Sequence, residues 1–115
     1  MANDYEMFDR RPKLRPIVRA AFKCDALVYQ FTEIDAADGL IKATDYSDIV
    51  DEVNKHYVDD AIIREAENRL DICVHNIDDL TSWDGTTAYP VDMAVWKKEA
   101  RQLRSFLKRF KKAAA

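Results

Sequence analysis

An all-α fold is predicted by three observations. The 115-residue chain has only 2 Gly and 3 Pro, too few for the tight hairpins of an all-β sandwich or barrel. Apolar residues make up 48% and charged residues 34%, which supports a packed core and argues against bulk disorder. Apolar side chains recur every three or four positions over two long stretches, the period of a helix face. The expected architecture is one domain, residues 1–115. It is a small bundle of three to four helices with an extended N-terminal arm and a long basic C-terminal helix.

Residues 1–12 show no periodicity and end at Pro12, so they are read as the arm, lying on a partner or on the body of the domain. A first helix is expected over 16–32. Pro16 suits the first helical position, and Ile17 to Phe31 is apolar around most of its circumference, which predicts burial on several sides. The β-propensity of Leu27 to Phe31 leaves its end open. Asp35-Ala36-Ala37-Asp38-Gly39 reads as a turn, and Leu40 to Ala43 as a short extended piece. A short helix follows over 45–57, capped by Asp45 or Ser47, with Ile49, Val50, Val53 and Tyr57 on one face.

The clearest helix is expected over 59–80. Asp59 is placed as its N-cap, with Val58 and Ile63 forming a hydrophobic staple. Ile62, Ala66, Leu70, Cys73, Ile77 and Leu80 form its apolar seam. After a loop around Gly85, Pro90 opens a last helix over 90–112, with Asp92 in the positive first turn. Its packing seam is Tyr89, Met93, Trp96, Ala100, Leu103, Leu107 and Phe110, stepping by three and four. Lys97, Lys98, Arg101, Arg104, Lys108, Arg109, Lys111 and Lys112 occupy its other faces and are the candidate contacts to a partner or to phosphates.

Net charge is −3 but unevenly spread. Residues 1–32 carry 6 basic and 4 acidic groups, residues 33–84 carry 4 and 15, and residues 85–115 carry 8 and 2. Such a layout suits a basic tail that folds back within one molecule or pairs with an acidic neighbour. An acidic pI of about 5.3 argues against nucleic-acid binding as the main task. Trp96, Phe106 and Phe110 fit packing better than base stacking.

Catalytic and metal chemistry find little support. An EF-hand register with Gly39 at the sixth position puts Ile34 and Ala36 where carboxylates are needed. His75 has Asp71, Asp78 and Asp79 at helical spacing but reads, like His56, as a surface histidine. Cys24 and Cys73 fall on apolar faces and read as reduced, buried thiols; a disulfide between them requires that the first and third helices touch. No phosphate loop or nucleophile motif is present, so no enzymatic activity, cofactor, metal or small-molecule substrate is expected. No apolar run reaches the ~20 residues of a membrane span, and the first residues lack a secretion signal.

The turn Asp35-Ala36-Ala37-Asp38-Gly39-Leu40-Ile41, the helix Val58 to Asp71 with its Ile62, Ala66, Leu70 and Asp71, and the Tyr89-Pro90 junction with its closing helix together resemble a known pattern. From about Asp35 to Leu107 the chain resembles the small helical head–tail connector, or head-completion adaptor, proteins of tailed bacteriophages. The resemblance implies a helix packed on a closing helix and rings of copies beneath the portal. It implies a homo-oligomer bound to other phage structural proteins, in the virion or the host cytoplasm, with incidental DNA contact. Two other readings compete with it. One is a small acidic inhibitor or regulator of a host protein complex. The other is a helical nucleic-acid-binding domain using the basic last helix.

Overall fold

A computed structural model describes residues 13–114, with side chains described through Lys111. The extended arm expected over residues 1–12 lies outside them, as does the side chain of Lys112. The fold is all-α, with no strand among the described residues. The described residues form five helices where three to four were expected: α1 (Pro16–Ala21), α2 (Asp25–Tyr29, continued by a π-helical stretch Gln30–Asp35), α3 (Tyr46–His56), α4 (Asp59–Leu80) and α5 (Pro90–Ala114).

The extra helix comes from a corner in the expected 16–32 segment. Phe22 leaves helical geometry and Cys24 is extended, at φ −100° and ψ 110°. A straight helix apolar on all sides would leave part of its circumference in water. The corner lets Ile17, Val18 and Ala21 before it, and Ala26, Leu27 and Phe31 after it, face one core. The segment also continues beyond residue 32. A π turn sets residues five apart on one face, here Gln30 and Asp35, both buried. The Thr32 hydroxyl donates to the Val28 carbonyl at 2.6 Å, a back-bond that loosens the helical ladder there.

Asp35 is therefore a helical core residue, and the turn begins later. Gly39 adopts φ +78°. The Leu40 N–H reaches the Asp35 carbonyl at 2.9 Å and the Gly39 N–H reaches Ala36 at 3.2 Å, which is a Schellman closure. Residues 41–44 form no strand, although Ile41 is buried. Asp45 stands at the N-cap of α3 without a side-chain bond to the helix.

Helices α4 and α5 form an antiparallel hairpin, α1 and α2 pack on its inner part, and α3 lies against α1 and the π-helical stretch. The α4 helix covers the range read from its seam, but Val58 is its N-cap and Asp59 its first residue. The staple is absent because Val58 is exposed and Asp59 binds Arg15. That guanidinium joins three elements. It reaches Asp59 at the start of α4 and donates to the carbonyls of Val53, Asn54 and Tyr57 at the end of α3. A cation on these unpaired carbonyls also complements the helix dipole.

Seam residues Met93, Ala100 and Leu103 are buried, and Trp96, Leu107 and Phe110 are half-buried. Tyr89 is not part of the seam. It precedes the first turn of α5 and is exposed, while Phe106 is buried instead. The aromatic rings of Phe22, Phe31, Tyr46 and Tyr57 join the corner, the π turn and α3 through contacts of 5.3–5.8 Å between ring centres.

Candidate interaction surfaces

The basic helix α5 presents two different sides. Toward α4, its charge faces carboxylates of the same molecule. Lys111 Nζ lies 2.7 Å from Glu67 Oε2, and Arg104 and Lys108 share a shallow depression with Glu67 and Asp71. Lys98 lies 3.9 Å from Asp25. Lys97 is exposed.

Toward α1, the arrangement differs. A groove of about 680 Å³ runs between α1 and α5. Arg101 and Arg109 of α5 face Arg19 of α1 and Lys23 of the corner across it. Phe106 and Phe110 form part of its floor, with ring centres 4.9 Å apart, and the Arg109 guanidinium lies 4.7 Å from the Phe110 ring centre. Among the described residues no ion pair is formed by any of these four cations. Of the eight cations predicted from sequence, the structure brings only Arg101 and Arg109 together here. Arg19 and Lys23 were missed, because they sit in an apolar run that is basic only once α1 lies on α5.

A second surface lies at the far end of the hairpin. No residue from Val74 to Asp92 is buried, and Ile77 is half-buried against the core. Its anchor is Arg69, buried on α4. The Arg69 guanidinium donates to Glu99 Oε2 on α5 at 3.1 Å and lies 4.9 Å from the Tyr29 ring centre and 5.2 Å from that of Trp96. Ile72 is one turn beyond Arg69 on α4. Val95 and Val91 are one and two turns from Glu99 on α5. Since Arg69 and Glu99 meet across the hairpin, these side chains continue the same face outward. All three are exposed, Val91 at 75%, as are Tyr29, Tyr89 and, at 98%, Trp83 in the connecting loop. These exposed apolar side chains make this side of the hairpin a candidate interaction surface.

Cys73 donates to Glu99 at 3.6 Å, and its thiol is pushed up to about 11, chiefly by burial and then by the Glu99 charge. Burial also raises the Cys24 thiol. Both cysteines are free and buried. Asp35 is raised by burial, against the opposing hydrogen bond that Tyr57 donates to it at 2.7 Å. His56 and His75 are exposed, within 3.8 Å of Glu52 and 3.2 Å of Asp79. No group of three or more His, Cys, Asp or Glu that could hold a metal occurs among the described residues, and no helix among them is long and apolar enough to cross a membrane. No protein-family model, no curated protein and no solved structure matches the chain.

Proposed function

We propose that this chain is a structural assembly protein of a tailed-phage particle, self-associating and bridging head and tail components by helix packing and charge complementarity. The observation that carries the reading is the uncovered apolar strip from Tyr29 past Ile72, Val95 and Val91 to the hairpin loop. A hairpin end that leaves this much apolar surface exposed gains stability when a second apolar surface covers it. The resemblance of residues 35–107 to head-completion adaptors supplies the particle context. The double substitution Val91→Asp and Val95→Asp tests this. Both residues are exposed, so the helix persists by circular dichroism while copies cease to associate and the protein is lost from purified particles. Retained association, or absence of the unaltered protein from particles, contradicts the proposal.

One observation favours a second reading, a nucleic-acid contact, namely the four cations around the α1–α5 groove. It requires duplex binding that weakens steeply with salt, and more gently after Arg19→Gln and Arg101→Gln. Salt-independent or absent binding removes it.

A further inference from the structure

The α1–α5 groove collects four cations with no counter-charge among the described residues. Like charges around one opening repel, and an anionic occupant relieves the repulsion. The floor, by contrast, is apolar, with Phe106 and Phe110 in it and Pro16 on the wall. A fitting occupant therefore carries carboxylates interleaved with apolar side chains. Nucleic acid answers the cations but not the floor, and the net charge of −3 opposes it.

The sequence contains such an occupant. Asp4-Tyr5-Glu6-Met7-Phe8-Asp9 carries three carboxylates and three large apolar side chains in six residues, and it lies outside the described residues. When extended, Asp4, Glu6 and Phe8 fall on one side and Tyr5, Met7 and Asp9 on the other, so the split of carboxylates from apolar side chains is clean over Asp4 to Met7. Arg101 and Arg109 are about 12 Å apart along a helix axis at 1.5 Å per residue, a length that roughly four extended residues span.

We propose that the Asp4–Asp9 segment of one copy docks in the α1–α5 groove of a second copy, with Asp4 and Glu6 toward the cations Arg19, Lys23, Arg101 and Arg109 and with Tyr5 and Met7 toward the Phe106–Phe110 floor. The chain just before α1 is held by Asn54 of α3. The Lys13 carbonyl accepts from Asn54 Nδ2 at 3.4 Å, and the Arg15 N–H donates to Asn54 Oδ1 at 3.1 Å. These bonds hold Lys13 and Arg15 against α3, and the second copy is supplied by the self-association proposed above. The inference rests on the self-association proposed above and adds a polar contact to the apolar one.

Sedimentation equilibrium of the full chain tests it. One variant neutralises the segment (Asp4→Asn, Glu6→Gln, Asp9→Asn), and another neutralises the groove (Arg19→Gln, Arg101→Gln). Each is expected to raise the dissociation constant for self-association about tenfold. Mixing them in equal amounts restores pairing, because one intact segment meets one intact groove. Circular dichroism checks that the exposed groove substitutions leave the fold in place. Unchanged association in both variants overturns the proposal, as does failure of the mixture to pair, the result expected if the segment folds onto its own copy. A groove variant that loses only duplex DNA binding overturns it in favour of nucleic acid. If the Val91→Asp and Val95→Asp chain dissociates while the segment and groove variants do not, this inference fails and the assembly reading stands. A chain that is always single defeats both.

Discussion

Replacing Arg69 by Met should destabilise the fold far more than replacing an ordinary surface arginine. Its side chain is 8% exposed and that of Glu99 15%, so both charges have left most of their water. The methionine retains much of the packed volume but removes the donor at 3.1 Å from Glu99. Glu99 then keeps only the weak Cys73 thiol donor at 3.6 Å. Breaking a buried pair in this way costs about 3–5 kcal/mol. The lost contacts with the Tyr29 and Trp96 rings are included in the upper end of that range. At roughly 4 °C per kcal/mol, the melting temperature should fall by about 12–20 °C. The double variant Arg69→Met, Glu99→Leu removes both charges and should recover most of the loss, since an apolar pair of similar volume needs no desolvation. Urea unfolding of the three proteins measures both steps. A single-variant loss below about 1 kcal/mol, or a double variant no more stable than the single one, would refute the reasoning.

Two further outcomes follow from the same kind of argument. Arg15→Met leaves the last carbonyls of α3 without their cation and should cost about 1–3 kcal/mol, allowing for the partly exposed guanidinium; an unchanged urea midpoint would show that water replaces it at no loss. Asp35 has a pKa raised above its ordinary 3.8. In the window between 3.8 and that raised value the folded state binds more protons than the unfolded one, so this group makes stability rise as pH falls through the window. Asp35→Asn should flatten that component of the pH profile, and matching profiles for the two proteins would contradict it.

The parts of the fold legible in sequence are those where local pattern and tertiary burial agree. Ile62, Ala66 and Cys73 mark α4 because the same spacing that defines the helix faces the core. Gly39 was recognisable as a turn residue because only a positive φ closes that helix end. The corner at Phe22–Cys24 carries neither Gly nor Pro, and its cause is the burial of a helix apolar on all sides, a requirement of the whole fold. Arg69 was missed because a cation in a helix reads as a solvated face, and its ring and carboxylate partners come from residues 29, 96 and 99. The basic groove was half legible. The α5 cations show in the sequence, but their division into a side that faces carboxylates and one that faces other cations depends on which helix lies against each.

Self-association through the uncovered hairpin face is tested most directly by the mass of the intact chain in solution over a range of protein concentrations. The account predicts a mass that climbs from 13.3 kDa to a defined multiple of it, and stays at 13.3 kDa when Val91 and Val95 are both aspartate. A single-chain mass at every concentration for the unaltered protein would contradict it.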